Sequence, residues 1–533
     1  MKNLAFWLLI LLSTAWAALL RLPGLERRPM HCDEAVHADK LGTLLEGGGY
    51  RYDPSEYHGP TLNYFTLLPA WIRGVHRYTD LSEALLRSVP ALFGLLLVPL
   101  LLLWKSGLGL PSVAAASCLL AVSPVMAYYS RYYIQEMLLL FFSCAFLACG
   151  YRFFRSARPG WLLLSGLALG LSHATKETFC LSLAAAAASL VICVRRPAAD
   201  PSPAHPAPFW RSRHLVAFLL AALLSSVVFY SSFFSHWPGV IDSVRAYFLY
   251  LVRIHDAALH THPWYYYLQT ILFFREPGGP VWTEGFIFLF GCLGLWESLS
   301  RHPRVDLDRT LLRFLGLYTI FLTALYAAIA YKTPWCLIQF WLGWILLAGV
   351  GTIRLYRLFP ASWYRGAVIW LFLLGAGHLG WQSWRACFPM DADPRNPFVY
   401  AHTGPGVFSI VRRVEAIAKA HPDGIGMPVQ VYSRENLWPL PWYLRRFPKA
   451  RWWTGFSDQA ANAPLILATP DMEAGVVHKL YEIPPPGERE LYMRMLESYT
   501  ELRPQVEVRG YVARSLWEDY LRREAEEQGE RKP

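Results

Sequence analysis

Charged residues are scarce in this sequence. They form 17% of its 533 residues, while hydrophobic residues form 54%; a typical soluble domain is about 25% charged. The apolar residues are gathered in blocks with few charges, and many blocks are long enough to cross a bilayer as a helix of about 20 residues. The composition therefore excludes a soluble protein and predicts a polytopic membrane protein.

Other familiar sequence features are also missing. The nine cysteines include no CxxC pair, and five of them lie inside apolar blocks, so no disulfide framework is predicted. There is no Gly-rich nucleotide-binding loop and no internal repeat of fixed period. The cysteines that remain as candidates for the oxidising side of the membrane are Cys32, Cys180, Cys336 and Cys387.

The net charge of +11 does not indicate nucleic-acid binding. Many lysines and arginines lie between the apolar blocks, where the positive-inside rule places them. With the N-terminus inside, the pattern predicts about eleven transmembrane helices. An alternative for the first is a cleaved signal peptide, because Ala15-Trp16-Ala17 resembles a cleavage site. The predicted spans are 4–20, 84–104, 113–128, 137–154, 161–171, 179–194, 215–234, 281–299, 311–330, 337–353 and 366–384.

These spans divide the chain into two predicted domains. Residues 1–384 form the transmembrane domain, with a first extracytoplasmic loop at 21–82 and a large loop at 235–280. Residues 385–533 have the composition of a soluble domain, and the odd number of spans places them outside. Alternating elements predict a small α/β domain there. We expect an interfacial helix at 61–72, helices at 411–420 and 516–533, and strands at 428–432 and 465–469.

Two adjacent carboxylates follow the first span. Asp33 and Glu34 lie just outside the predicted bilayer, which suits a general base acting on a hydroxyl group. The alternative is a solvated acidic first turn of a helix. Glu34 and His37 also form a Glu-x-x-His pair, but metal-carboxylate sites need two such pairs, so no metal ligands are assigned.

The other candidate residues also lie on the predicted outer side. Cations there are less expected, and Arg131, Lys176 and Lys332 have the charge to hold a lipid phosphate. The alternative for these cations is an interfacial position. Aromatic rings near carboxylates suit sugars, although a segment such as 255–267 is also typical of an interface. Candidate sugar or acceptor contacts are Glu136, Tyr57, His58, His262, Arg434, Glu435, Trp438 and Trp442.

Taken in order, these motifs resemble those of the GT-C superfamily of integral membrane glycosyltransferases. Asp33-Glu34 matches its Asp-Glu motif, and Arg131 with Glu136 matches the charged pair after its third span. The chain is similar to family 39, which includes the dolichyl-phosphate-mannose–protein mannosyltransferases. A closer resemblance is to the flippase-activity-associated subfamily, through residues 30–37, 57–61, 331–335 and 438–443.

The resemblance implies transfer of a monosaccharide from a polyprenyl-phosphate carrier to a glycan, lipid or protein acceptor on the outer face of the plasma membrane. Asp33 would be the base, Glu34 would orient the acceptor or sugar, and Arg131, Lys332 and Lys176 would stabilise the phosphate. A divalent metal requirement stays open. The alternatives are a lipid-linked-sugar flippase or its accessory, and a catalytically silent sugar-binding scaffold.

Overall fold

The computed structural model describes residues 2–55, 58–195, 212–256, 260–300, 304–456, 461–496 and 499–530. The chain divides into two compact units. The first unit consists of Met1–Leu25, Thr43–Val75 and Ser82–Tyr400, and the second of Glu26–Gly42, His76–Leu81 and Ala401–Pro533.

The described residues up to 387 are mainly helical. Long apolar runs favour helices here because a helix satisfies its own backbone hydrogen bonds in lipid. The helices are α1 Lys2–Arg21, α2 Cys32–Leu45, α3 Thr61–Ile72, α4 Glu83–Leu100, α5 Lys105–Leu108, α6 Leu110–Val122, α7 Pro124–Tyr129, α8 Glu136–Ser156, α9 Pro159–His173, α10 Phe179–Arg195, α11 Ser212–Tyr230, α12 Pro238–Asp256, α13 Tyr266–Leu272, α14 Gly285–Leu299, α15 Arg309–Ala328, α16 Ile338–Tyr356 and α17 Ser362–Cys387.

Every predicted span lies mainly in helix, although residues 231–234 and 281–284 are not helical, and the interfacial helix at 61–72 is confirmed as α3. By length and hydropathy, six described segments qualify as membrane spans: Leu4–Arg21, Glu83–Leu108, Glu136–Ser156, Ser212–Tyr230, Arg309–Ala328 and Pro334–Tyr356. Leu110–Val122, Phe179–Arg195 and Gly285–Leu299 are apolar but shorter. The count of about eleven crossings therefore stays a prediction.

The third predicted span, 113–128, is two helices rather than one. α6 ends at Val122, and α7 begins at Pro124 after an extended Ser123. Proline has no N–H to donate and is favoured at the first position of a helix. The break leaves the start of α7 in need of hydrogen-bond acceptors, and one of them is a buried carboxylate described below.

Helices α14 and α16 pack closely in the first unit. A Cβ atom on Gly294 would collide with the Leu347 carbonyl, and one on Gly351 with the Phe290 carbonyl. Small residues at such contacts let helix backbones approach within the membrane. A buried ion pair between Glu297 and Arg354 joins the same two helices.

The second unit contains a mixed sheet, so the predicted α/β character of the C-terminal region is confirmed. Its order is β2-β1-β3-β7-β4, in which β1 is parallel to β2 and β3, and β7 is antiparallel to β3 and β4. Apolar residues of α18 pack against one face of the sheet. The elements are α18 Gly406–Ala420, α19 Leu440–Tyr443, α20 Glu473–Val477, α21 Arg514–Glu530, β1 Val429–Tyr432, β2 Ala450–Trp453, β3 Leu465–Ala468, β4 Tyr492–Arg494, β7 Arg509–Ala513, and the separate pair β5 Glu501–Arg503 and β6 Val506–Glu507.

The segment with the two adjacent carboxylates belongs to this second unit. The Met30 N–H donates to the Tyr443 hydroxyl at 2.8 Å. Nearby, the Arg445 guanidinium donates to the Leu81 carbonyl at 2.7 Å. The C-terminal part of the chain thus forms hydrogen bonds to both first-loop segments of the second unit, Glu26–Gly42 and His76–Leu81.

Candidate active site

Asp33 and Glu34 occupy the first turn of α2 but have opposite environments. The Glu34 side chain is completely buried, whereas 45% of the Asp33 side chain is exposed. The Glu34 carboxylate accepts hydrogen bonds from the His31 N–H at 2.9 Å and from Arg28 at 3.3 Å. This backward contact to the N-terminal residue is half of a capping box, and it leaves Asp33 as the accessible carboxylate.

Histidine and cysteine side chains lie beside Asp33. The Asp33 N–H donates to His31 Nδ1 at 3.1 Å, and that nitrogen lies 3.8 Å from the Asp33 carboxylate. The His31 ring stacks on His402, with centroids 5.7 Å apart. Burial, followed by the negative charge of Asp33, raises the pKa of Cys32 to about 11, so its thiol is protonated at neutral pH.

The predicted acceptor residues of the C-terminal region divide into accessible and buried ones. Arg434 and Glu435 are exposed, and Trp438 is half-buried. Their loop reaches the start of α2, where the Asn436 amide donates to the Cys32 sulfur at 3.8 Å. Trp442 is fully buried, with Arg445 over its ring at 3.7 Å and Tyr78 at 5.8 Å.

In the first unit, Arg131 binds the end of a helix. Its guanidinium is buried and donates to the Pro23 carbonyl at 2.7 Å and the Gly24 carbonyl at 3.0 Å, with longer contacts to Leu20 and Arg21. These carbonyls lie at or just beyond the end of α1, where a cation is favourable. Glu136 does not pair with Arg131.

Glu136 instead pairs with Lys176. Both side chains are buried, and the ammonium donates directly to the carboxylate. Burial alone lowers the pKa of Lys176, but the charge and hydrogen bond of Glu136 outweigh it and raise the pKa above its ordinary value. The Gln339 amide donates to the Glu136 carbonyl at 2.9 Å.

Glu177, next to Lys176, binds the loop that follows α2. Its carboxylate accepts from the Tyr52 hydroxyl at 3.0 Å and lies 2.9 Å from His58 Nδ1. Burial raises the pKa of Glu177, but the charge and hydrogen bond of His58 prevail and lower it overall. Gly59 lies so close to the Ala174 carbonyl that a Cβ atom would not fit. Tyr57, the other candidate in this loop, lies outside the described residues.

Lys332 has a different set of partners. Its ammonium is buried and donates to the His262 carbonyl at 3.2 Å and to the Ile329 carbonyl. Across the described residues these carbonyls are its hydrogen-bond partners, and no carboxylate pairs with it. Burial lowers the pKa of Lys332, and burial with nearby positive charge lowers that of His262. The His262 ring stacks on Tyr266, with centroids 4.1 Å apart.

Glu284 is a buried acid that sequence reasoning missed, because it lay inside the predicted span 281–299. Its carboxylate accepts from the Ser123 hydroxyl at 2.6 Å, the Val125 N–H at 2.8 Å and the Trp341 indole at 2.9 Å. It therefore supplies the acceptor that the break before α7 requires. The sequence signal was an acid directly before a Gly-initiated helix, in the run Trp282-Thr283-Glu284-Gly285.

Metal ligands were not assigned from the sequence. Among the residues that the structure describes, no three His, Cys, Asp or Glu side chains are grouped so that they could hold a metal ion.

One protein-family model and several solved structures are similar to this chain. Residues 35–235 match the family described as dolichyl-phosphate-mannose-protein mannosyltransferase. No curated protein matches the sequence. ArnT from Cupriavidus metallidurans, solved with undecaprenyl phosphate, is similar in structure with a TM-score of 0.63 and 15% identity, over 95% of this chain and 98% of that one.

A second similar structure is the oligosaccharyltransferase AglB from Archaeoglobus fulgidus, in complex with an inhibitory peptide and a dolichol-phosphate. Its TM-score is 0.51 at 14% identity, over 91% of this chain and 72% of that one. At such identities the likeness shows a shared fold. The chain is a multi-pass integral membrane protein with the GT-C fold, and together with the family match this confirms the predicted class, a membrane glycosyltransferase.

Proposed function

We propose that this protein transfers one sugar from a polyprenyl-phosphate carrier to an acceptor hydroxyl on the extracytoplasmic face of the plasma membrane. The observation that carries the proposal is Lys332, whose buried ammonium is held by carbonyls and pairs with no carboxylate among the described residues. A buried charge without a counter-charge is costly, and an anionic ligand such as a phosphate would supply one.

The shared fold supports a lipid-linked donor. ArnT was solved with undecaprenyl phosphate and AglB with a dolichol-phosphate, and both ligands are polyprenyl chains that end in phosphate. We extend this chemistry to the present chain as part of the proposal. Lys176 is a second candidate for the phosphate, although its charge is already balanced by Glu136.

Asp33 is the proposed general base. It is the accessible member of the acidic pair and lies in the first turn of α2. The acceptor hydroxyl gives its proton to Asp33, and its oxygen forms a bond to the anomeric carbon. The bond from that carbon to the phosphate oxygen breaks, and the polyprenyl phosphate leaves with the electron pair. A single displacement inverts the anomeric configuration.

Glu34 has a supporting role in this proposal rather than direct contact with substrate. Its carboxylate is already bound by Arg28 and by the His31 N–H. We therefore assign it to the shape of the turn that carries Asp33. This departs from the sequence hypothesis, in which Glu34 orients the acceptor or the sugar.

The acceptor side is proposed to include Arg434, Glu435 and Trp438, whose loop reaches the start of α2 through Asn436. Trp442 is left out because its ring is buried between Arg445 and Tyr78. For the transferred sugar, the candidates remain Glu136, His58 and His262, with Tyr57 from the loop beyond the described residues.

The test is sugar transfer by purified protein from a panel of synthetic polyprenyl-phosphate monosaccharides. Wild type is compared with Asp33→Asn and with Asp80→Asn, an exposed aspartate of the same predicted loop. We expect transfer by wild type and Asp80→Asn, and a loss of about 10³-fold or more in Asp33→Asn. Transfer by Asp33→Asn at the wild-type rate would show that the base is wrongly assigned.

The closer resemblance to flippase-activity-associated proteins stays a prediction. If no donor in the panel supports transfer while the protein moves a lipid-linked sugar across vesicle membranes, the function is that of a flippase or its accessory instead.

A further inference from the structure

A polar cavity of about 600 Å³ lies beside the start of α18, and its size is within the range of ligand-binding sites. It contains none of the residues to which the proposed function gives a role. Its lining combines an aromatic ring, a guanidinium, a carboxylate and two aliphatic hydroxyl groups. These groups belong to Tyr499, Arg413, Glu501, Ser409 and Thr500. The cavity therefore suits a polar ligand that both donates and accepts hydrogen bonds.

Close backbone contacts fix one wall of the cavity. The Gly404 N–H donates to the Leu502 carbonyl of β5 at 2.9 Å. A Cβ atom on Gly406, the first residue of α18, would lie 2.7 Å from the Glu501 carbonyl, so only a glycine allows this approach. The wall between α18 and β5 is thus set by backbone packing and does not depend on a bound ligand.

The side chains of the cavity match the chemistry of a sugar. Tyr499 is 64% exposed, and its hydroxyl donates to the Glu501 carboxylate at 2.6 Å, which orients the ring. The Arg413 guanidinium has five N–H donors, and its bond to the Tyr520 hydroxyl at 2.8 Å uses one of them. Among the described residues Arg413 and Glu501 do not pair with each other, so a ligand meets both a donor and an acceptor.

Other classes of ligand fit this lining less well. An anion such as phosphate would be attracted by Arg413 but repelled by the Glu501 carboxylate. A lipid chain needs apolar walls, whereas the aliphatic side chains among the described lining residues are those of Pro405 and Leu496. The hydroxyl groups of a sugar both donate and accept, and its C–H face can stack on the ring of Tyr499. The lining therefore favours a carbohydrate.

A histidine stack connects the cavity with the turn that carries Asp33. His402 lies two residues before Gly404, which lines the cavity, and its ring stacks on His31 with centroids 5.7 Å apart. His31 Nδ1 in turn accepts the Asp33 N–H at 3.1 Å. The cavity and Asp33 are therefore neighbours within the second unit.

Strand β5 provides a second connection. Glu501 lines the cavity, and Arg503 lies two residues further along the strand. Burial, followed by the negative charge of Asp33, raises the pKa of the Cys32 thiol, while the charge and a hydrogen bond of Arg503 oppose this rise. Arg503 therefore lies next to Cys32, the residue before Asp33. Two residues of a strand span about 7 Å, which is comparable with the length of one sugar unit.

We infer that this cavity binds one sugar of the acceptor, and that the acceptor is a glycan of at least two sugars. One sugar presents its hydroxyl group to Asp33, and the adjoining sugar lies in the cavity against Tyr499. The inference rests on the proposed function, and it narrows the acceptor from a glycan, lipid or protein to a glycan chain. It also predicts that the enzyme distinguishes acceptors by a sugar that does not react.

The experiment measures disaccharide binding to the full-length protein in nanodiscs, which contain no sugar-based detergent. The probes are methyl glycosides of mannose, glucose, galactose, arabinose and N-acetylglucosamine, each as a monosaccharide and as its homodisaccharides, and the Kd is measured by saturation-transfer NMR. Ser409→Trp fills the cavity, and Glu415→Trp is the matched control at another exposed position of α18. Tyr499→Ala removes the aromatic ring, and Tyr499→Phe retains it.

We expect wild type to bind at least one disaccharide more tightly than the corresponding monosaccharide. Ser409→Trp and Tyr499→Ala should raise the Kd of that disaccharide by about tenfold or more, because the cavity or its stacking surface is lost. Glu415→Trp and Tyr499→Phe should stay within about twofold of wild type, because the cavity and the ring are retained. All four variants should bind C55 polyprenyl phosphate like wild type, which shows that they are folded.

The outcomes distinguish this inference from the proposed function. If Ser409→Trp binds the disaccharide like wild type, or if wild type binds none of the probes, the inference is overturned, although transfer that depends on Asp33 would still support the proposed function. Displacement of the disaccharide by an equal concentration of inorganic phosphate would assign the cavity to anions and overturn the inference as well. If the disaccharide binds as expected but wild type transfers no sugar from any donor, the proposed function fails, the acceptor role falls with it, and the cavity belongs to a sugar-binding scaffold.

Labelling of the unmodified protein guards against misfolding of the variants. The disaccharide that binds most tightly is prepared with a photoreactive diazirine and irradiated with wild-type protein, and the labelled peptides are identified by mass spectrometry. We expect labels in 404–413 or 499–503. Labels confined to other segments of the chain would overturn the inference.

Discussion

The Arg28 guanidinium lies 3.3 Å from the Glu34 carboxylate, and both side chains are buried in the second unit. Because Glu34 also accepts the His31 N–H at 2.9 Å, it links a buried cation to the turn that precedes α2. Its neighbour Asp33 shares none of these contacts. Two adjacent acids of the same motif therefore have different environments, and the proposed function gives them different roles.

Glu34→Gln should lower stability more than Asp33→Asn does. The change removes a charged hydrogen-bond partner from a buried guanidinium, which costs about 1.5–3 kcal/mol. Asp33 is half-exposed, so Asp33→Asn should unfold near the wild-type temperature while losing transfer. Thermal unfolding of detergent-purified variants measures the first effect and transfer assays the second. Equal unfolding temperatures would contradict the supporting role of Glu34.

The role of Lys332 predicts a pH dependence of transfer. Burial lowers the pKa of Lys332 from its ordinary value near 10.5, and the phosphate needs the charged ammonium. Transfer should therefore fall as the pH rises through this lowered pKa, at a lower pH than that at which a solvent-exposed lysine loses its charge. Lys332→Arg should keep its activity to higher pH, because a guanidinium stays charged.

Lys332→Met tests the same residue by removing its charge at every pH. The loss of one fixed charge at the leaving phosphate is expected to reduce kcat/KM by about 10²–10³-fold. A Lys332→Met enzyme with wild-type kcat/KM would exclude phosphate binding by this residue. The control is Lys449→Met, an exposed lysine of the second unit, which should leave the rate unchanged.

The lowered pKa of Glu177 predicts that the protein loses stability at acid pH. Its folded-state pKa is lowered, because the contacts with His58 outweigh the effect of burial. The folded protein thus resists protonation of Glu177 more than the unfolded chain does. The ionised Glu177 therefore contributes to the free energy of unfolding above the unfolded-state pKa, and this contribution is lost as the pH falls through the folded-state pKa. Melting temperatures should fall less steeply in Glu177→Gln between about pH 5 and pH 3, the range around and below the ordinary pKa of 4.5 from which the folded-state pKa is lowered. The exposed Glu415→Gln should keep the wild-type slope.

A substitution of Arg131 distinguishes two roles for this residue: capping the end of α1 and binding the phosphate. Its hydrogen bonds to Pro23 and Gly24 predict that Arg131→Ala lowers the melting temperature and leaves the Kd of polyprenyl phosphate within about twofold. The reason is that lost capping contacts cost stability without removing a ligand contact. A tenfold weaker Kd with unchanged stability would favour the phosphate role that the sequence suggested.

The helical framework could be predicted because each element is encoded locally. Apolar runs of spanning length produced helices at every predicted span. The local pattern did not predict the break at Ser123-Pro124. The apolar residues continue through this point, but the helical backbone is interrupted there. The strands found from sequence were β1 and β3, whose residues are all buried. β2 and β4 contain several exposed residues and charges, which hide a strand pattern.

The candidate site was predicted as a set of residue types, and its pairings were not. Lys176 and Glu136 are 40 residues apart, and no spacing rule connects residues at such a distance. Arg131 matches a family motif, yet it donates hydrogen bonds to carbonyls at the end of α1 and just beyond it, which only the folded chain brings close. The sequence indicated which groups carry charge, while packing decided which of them are neutralised.

The hydrogen bond between Met30 and Tyr443 joins positions 413 residues apart, and it has a consequence for synthesis. The turn with Asp33 leaves the ribosome well before Tyr443, because 413 positions separate the two partners of this hydrogen bond. Most of the helices are made while the turn still lacks these contacts. The order of synthesis therefore delays a completed turn until Tyr443 has been made and has folded into place, and a chain terminated before Tyr443 would carry Asp33 without this support.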